Sequence, residues 1–157
     1  MIDAYVLRSL VRRCNYDPIE LNHFMSISDR VLFVDTDTNL KGVQHYANTG
    51  ITDISFISYI NANNISYYPL DMIKGLRRIC KMVLSHKPFE VITIHDSFAC
   101  SPLNCNQLRF HYKEILAELS DSTAVDSILN QLYWDTDTVK KGKSISDKIR
   151  NSNYGIC

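Results

Sequence analysis

One stretch, Leu70 to Leu84, narrows the fold more than any other. Met72, Ile73, Leu76, Ile79, Cys80 and Val83 share one side at helical spacing, and Lys74, Arg77, Arg78 and Lys81 share the other. Asp71 sits in the first turn, where the helix dipole favours a negative charge. Lys87-Pro88 then bars continuation. Such a helix depends on having its apolar side covered, so the rest of the chain must supply a facing layer. The residues that follow change period. Phe89 to Ile94 reads as a strand with His95-Asp96-Ser97 at its tip, and Phe98 to Ser101 leads away as the second arm of a hairpin. A second β-favouring run, Val31 to Val34, ends in Asp35-Thr36-Asp37. Helical spacing recurs in Ile2–Cys14, from Gly42 to Ala47, in Asn104–Leu119 and in Ser122–Tyr133, and Asp17-Pro18 marks another helix start. Ile51 to Ile60 fits strand or helix, and residues 61–64 read as a loop. The predicted fold class is α+β. A small antiparallel sheet holds the strands before Asp37 and around Asp96, with the 70–84 and 104–119 helices against one face.

Length and charge bound the function. The chain has 157 residues, one domain's worth. Lysine plus arginine balance aspartate plus glutamate at 17 each, so net charge gives no support to a nucleic-acid role and any such role must come from local placement. The cysteines, Cys14, Cys80, Cys100, Cys105 and Cys157, follow no zinc spacing and read as reduced thiols of an intracellular protein. No apolar run approaches the roughly 18 residues of a membrane span. Arg8, Arg12 and Arg13 interrupt the first apolar stripe, which reads as an amphipathic helix and not a signal peptide. The string Asp-Thr-Asp-Thr occurs at Asp35 and again at Asp135, with no repeat around it.

Two constellations carry chemistry. In Asp37-Thr38-Asn39-Leu40-Lys41-Gly42-Val43-Gln44-His45-Tyr46-Ala47 a carboxylate follows a strand, and a glycine turn then opens a helix. An acid so placed can hold a hard cation through oxygen, although an aspartate after a strand is commonly a helix cap. In Phe89–Ala99 an ionisable pair, His95-Asp96, sits at the tip of an apolar strand. Such a pair is satisfied by a turn or by a metal. Nucleotidyl transfer needs two divalent ions clamped by carboxylates close in space and far apart in sequence, and two adjacent strands each ending in aspartate supply them.

These strings resemble the single-subunit RNA polymerases of phage and mitochondrial type. Asp37 to Ala47 is similar to motif A of that family, in which the first metal-binding aspartate precedes Gly-(Ile/Leu/Val)-Gln-His-(Phe/Tyr); Gly42, Val43, Gln44, His45 and Tyr46 match in register. His95-Asp96-Ser97-Phe98 resembles motif C, whose His-Asp-Ser-Phe carries the second aspartate. Asp71 falls where the family has the aspartate that closes a His-Ser-x-Asp string. The tail from Lys143 to Tyr154 resembles the family's last segment, so the likeness runs from about Val31 to Tyr154. A family A DNA polymerase normally has His-Asp-Glu in motif C, whereas this chain has Ser97, and a metal phosphohydrolase lacks further ligands here.

The departures shape what the resemblance implies. Only residues 48–69 lie between Ala47 and the 70–84 helix, and Gly42 to Ile73 contains no lysine or arginine, so motif B with its nucleotide-handling lysine and tyrosine is absent. Tyr68-Pro69 replaces the family's His-Ser. The family's promoter-binding domain and most of its thumb have no counterpart here. The resemblance therefore implies a single truncated palm: N-terminal helices in residues 1–30, a motif A to motif C core in 31–119, and a C-terminal helix and tail in 120–157.

It further implies a DNA-directed RNA polymerase palm fragment or subunit for transcription, completed by a partner chain and inactive alone. Asp37 and Asp96 are the expected catalytic and metal-binding residues for two magnesium ions, with Asp35 in reserve. His95, Ser97, Gln44, His45, Asp71, Lys74, Arg77 and Arg78 are the expected contacts to substrate and nucleic acid. The implied partners are a DNA template, an RNA product, ribonucleoside triphosphates and a second polymerase chain, with no membrane. The implied location is the cytoplasm of a phage-infected host or the mitochondrion. The alternative is a non-catalytic polymerase relic that serves as a nucleic-acid or protein binding module.

Overall fold

A computed structural model describes residues 2–28, 35–95, 97–132 and 142–153. The predicted Val31–Val34 strand, Asp96, the second Asp-Thr-Asp-Thr string and Tyr154 lie outside them. The fold is mixed helix with a small antiparallel sheet, in agreement with the α+β expectation.

The chain opens with α1 (Ile2–Cys14) and α2 (Pro18–Ser26). Asp17 caps α2, accepting from the Ile19 amide at 2.8 Å, and Pro18 takes the first helical position, where its missing N–H costs nothing. Gly42 and Gly50 bracket α3 (Val43–Thr49), both in the left-handed region at φ 86° and 69°. The Gly50 amide bonds the Tyr46 carbonyl at 2.7 Å, the usual way glycine closes a helix. The ambiguous stretch 51–60 resolves as a 3-10 helix, Ile54–Tyr59. Its buried isoleucines Ile51, Ile54, Ile57 and Ile60 recur every third residue, which is the 3-10 period.

A short 3-10 turn, Ile65–Tyr67, leads into α4 (Leu70–Val83). All six apolar residues expected to share one side of α4 are buried. They pack on Leu21 and Phe24 of α2, on Val43, and on Ile54, Ile57, Ile65 and Tyr68, which form the larger of two cores. Each such side chain contributes roughly 1.5–3 kcal/mol on burial. The apolar side of α4 is thus covered by α2 and the 3-10 segments, where the sequence had pointed to the sheet.

The hairpin is β1 (Ile92–Ile94) and β2 (Ser97–Ala99), antiparallel, with Ile94 opposite Ser97. It begins later than predicted because the Phe89 amide is taken by the Cys14 carbonyl at 2.8 Å and the Phe89 ring is buried. Pro102–Asn104 forms another 3-10 turn, followed by α5 (Cys105–Asp121), α6 (Ala124–Leu132) and α7 (Ser146–Arg150). The second core joins Val6, Leu10 and Cys14 of α1 to Phe89 and to Ile115 of α5. Val91 and Phe98 on the inner face of the hairpin pack onto it, and the Phe98 ring lies 5.9 Å from Tyr112 of α5. Ile92 and Ile94 on the outer face stay 61% and 63% exposed.

Ion pairs tie the helices together around α5. Arg13 of α1 makes a two-pronged bond to Glu118, which also accepts from Arg78 of α4 at 2.8 Å. One turn earlier Glu114 accepts from Arg150 of α7 at 3.1 Å. Lys113 caps the end of α7 through the Arg150 and Ser152 carbonyls at 3.0 and 3.1 Å. Among the described residues no helix is long and apolar enough to cross a membrane.

Candidate functional site

The turn that carries the first acid is well held. The Asp37 amide donates to the Tyr67 carbonyl at 3.0 Å, which fastens the turn to the entrance of α4. The Asp37 Oδ1 accepts from the Asn39 amide at 2.9 Å and from its side-chain nitrogen at 3.1 Å. This is an Asx turn, the local bond aspartate readily forms with the backbone two residues on. Asp37 is exposed, and Oδ2 takes no part in the turn, so one hard oxygen remains to face a cation. Asp35 is exposed as well. Leu40 and Val43 then anchor the segment in the larger core, while Gln44 and His45 face outward, His45 edge-on to Phe56 with ring centres 5.9 Å apart.

The hairpin carries the second string. Only His95 and Asp96 connect Ile94 to Ser97, the two-residue link typical of a tight hairpin. His95 has φ 52°, the sole positive φ of a residue other than glycine among the described residues. Primed turns require a positive φ at their first central position. His95 and Ser97 are both exposed. Asp96 lies outside the described residues, and among those described no group of three His, Cys, Asp or Glu is arranged to hold a metal.

The basic side of α4 is partly committed to the protein itself. Arg77 turns back to α2, donating to the Ile27 carbonyl at 2.8 Å with its guanidinium 5.9 Å from the Phe24 ring centre. Arg78 bridges to Glu118 on α5. Lys74 remains at the surface with Asp71 at 3.4 Å, a weak exposed pair. Asp71 and Arg78 line a cleft of about 330 Å³ with Tyr46 and Glu118. Burial, and then the nearby Asp71, raises the Tyr46 hydroxyl above its usual range. The expected contacts thus do not share one place: Gln44 and His45 lie beside the Asp37 turn, Asp71 and Arg78 line the cleft between α4 and α5 with Lys74 at the surface beside Asp71, Arg77 turns to α2, and His95 and Ser97 lie on the hairpin.

A larger cleft of about 590 Å³ adjoins the Asp37 turn, and part of its wall had no sequence signal. Thr38, Asn39, Lys41, Gln44 and His45 form one side; Tyr5, Arg8 and Arg12 of α1 form the other. Asp53, buried at the bottom, accepts from Ser9 at 3.1 Å, from Arg12 at 2.9 Å and from the Ser55 amide at 2.8 Å. Burial alone would raise its carboxyl, but the Ser55 bonds, Arg12 and Ser9 outweigh that and hold it below the ordinary range. The i, i+4 spacing of Arg8 and Arg12 is legible in the sequence; their meeting with the 38–45 segment is a tertiary event and is not. Comparison with protein-family models and with curated proteins finds no match to the chain.

Proposed function

We propose that the chain is a palm of single-subunit, DNA-directed RNA polymerase type, which works in transcription with a partner chain that supplies fingers and thumb. The observation that carries this reading is the hairpin: His95-Asp96 is the two-residue link of an antiparallel pair, and His95 has the positive φ of a tight turn, within a His-Asp-Ser-Phe string. The exposed, hydrogen-bonded Asp37 ahead of Gly42-Val43-Gln44-His45-Tyr46 supports it.

In this reading Asp37 and Asp96 hold two magnesium ions, which supply activation of the attacking hydroxyl and charge stabilisation of the leaving pyrophosphate. Hard carboxylate oxygens suit magnesium, and the Asx turn fixes the direction of the Asp37 carboxylate. Gln44 and His45 face the substrate side of that turn, and His95 and Ser97 flank Asp96. DNA template, RNA product and ribonucleoside triphosphates are the ligands, in an infected-host cytoplasm or a mitochondrion. One observation favours the alternative of a non-catalytic binding module: Arg77 and Arg78 are engaged within the fold, which leaves less free charge for a template.

The test is primed RNA extension on a DNA template with magnesium, run with the chain alone and with a co-purifying chain that carries a Lys-x-x-x-x-x-x-x-Tyr-Gly fingers string. The chain alone should not extend at a normal rate, because positioning and charge stabilisation of the triphosphate dominate phosphoryl transfer. The assembled enzyme should extend, and Asp37→Asn or Asp96→Asn should each lower the rate by about a thousandfold or more. Efficient extension by the chain alone removes the need for a partner. Undiminished extension by Asp96→Asn rules out the catalytic assignment.

A further inference from the structure

Gly42 to Ile73 carries no lysine or arginine, yet the folded chain brings cations to the Asp37 turn from elsewhere. We propose that the cleft between α1 and the 38–45 segment binds the phosphates of a nucleoside triphosphate, with Arg8 and Lys41 as the charged contacts. The phosphate part stands on the cleft alone; that the phosphates belong to a nucleotide substrate rests on the polymerase reading.

The charge balance of the cleft points to an anion. Its single acid, Asp53, is buried and neutralised in place by Arg12, Ser9 and Ser55, so it does not oppose a negative ligand. Among the described residues no ion pair or hydrogen bond engages Arg8, which is exposed. Lys41 has no carboxylate partner among them either and only stands 5.8 Å from the Tyr59 ring centre. Gln44 adds an amide donor, and Arg12 fixes the wall through Asp53. Tyr5 lines the same cleft, with its buried hydroxyl beside the Ser9 that holds Asp53. The volume, about 590 Å³, lies in the range of small-molecule sites, which run from roughly 300 to 1,000 Å³. Asn39 both lines the cleft and holds Asp37, so a phosphate seated there lies beside the turn that carries the first acid.

The experiment is calorimetric titration of the full chain in metal-free buffer with inorganic tripolyphosphate, with uridine triphosphate, and with a short single-stranded RNA. Both triphosphates should bind, the nucleotide at least as tightly as tripolyphosphate. Combined Arg8→Gln and Lys41→Gln should weaken both by about tenfold or more, as expected for two charge-assisted contacts. Lys148→Gln, an exposed cation on α7, should change neither. No triphosphate binding, or binding unchanged by the double substitution, overturns the site. Single-stranded RNA that binds more tightly than uridine triphosphate through the same two residues overturns the nucleotide assignment. Asp96→Asn separates the two readings, since it should leave the metal-free titration intact while abolishing RNA synthesis by the assembled enzyme. For the unsubstituted chain, synthesis by the assembled enzyme without triphosphate binding overturns the cleft, and triphosphate binding without any synthesis overturns the polymerase reading and leaves the phosphate site standing.

Discussion

His111 shows how one buried side chain sets a property of the whole protein. Its ring is fully buried in α5, with Nε2 2.6 Å from Nε2 of His86. His86 Nδ1 lies 2.8 Å from the Lys87 carbonyl, which can only accept, so neutral His86 donates there and offers Nε2 as an acceptor. His111 must then donate from Nε2, and its Nδ1 is left as a buried lone pair with no hydrogen-bond partner among the described residues. Burial, then His86 and Arg13, lower the His111 pKa to about 3. The sign follows from proton counts: between about pH 6.5 and 3 the unfolded chain binds a proton at this position that the folded chain excludes, so stability falls as pH falls. Between pH 7 and pH 5 the loss should reach about 2 kcal/mol. Asp53 does not interfere, because its depressed carboxyl loses its contribution only below the ordinary value of 3.8. Urea denaturation at pH 7, 6 and 5 checks this. His111→Gln keeps a donor toward His86 and should flatten the dependence; a wild-type protein equally stable at pH 7 and 5 would refute the account.

At the scale of elements, the glycines at either end of α3 offer a controlled comparison. Both adopt positive φ, but a Cβ on Gly50 meets open space, whereas one on Gly42 would lie 2.7 Å from Cγ of Phe56. Gly50→Ala should therefore cost about 1 kcal/mol of backbone strain, and Gly42→Ala about 3 kcal/mol or more, with overpacking added. Equal losses in thermal melts would mean that the Phe56 ring simply swings aside. The same region shows what a sequence makes legible. Gly42 before Val43-Gln44-His45 reads correctly as a helix start, since the φ demand is local. So do α2, from its Asp17 cap and Pro18, and α1 and α4, from their apolar stripes, since these signals are local as well. The period of three in Ile51, Ile54, Ile57 and Ile60 is present in the sequence, but over ten residues such a stretch fits strand or helix, and the 3-10 helix is set by what buries the isoleucines. Less could be read of the site. That Arg77 folds onto α2 and Arg78 onto α5 depends on which helices become neighbours, as does the approach of Arg8 to Lys41. A basic helix side has the same pattern whether its partner is a phosphate or an internal carbonyl or carboxylate.

For the molecule as a whole, α1 is a main joint between the two cores, beside the Arg78–Glu118 pair and the bond from the Thr123 amide to the Thr49 carbonyl. Val6, Leu10 and Cys14 belong to the core shared with Phe89 and α5, whereas Ser9 and Arg12 bond to Asp53, the cap of the 3-10 helix in the other core. Arg13, buried to 1% exposure, adds the bond to Glu118, and Arg78 links the same carboxylate to α4. Removing either partner of such a buried pair is costly because it strands a charge. The two cores should therefore lose structure together when α1 is weakened, although none of the apolar residues named from α1 belongs to the larger one. Leu10→Ala deletes a fully buried side chain of the smaller core and should cost about 2–5 kcal/mol. Native-state hydrogen exchange distinguishes coupled from separate units. In Leu10→Ala, amide protection in α4 should fall by nearly the same free energy as protection in α5, since loosening α1 also frees Asp53 and Arg13. Protection lost in α5 while α4 keeps its wild-type value would show two independent units and would assign the ion pairs of α1 no role in joining them.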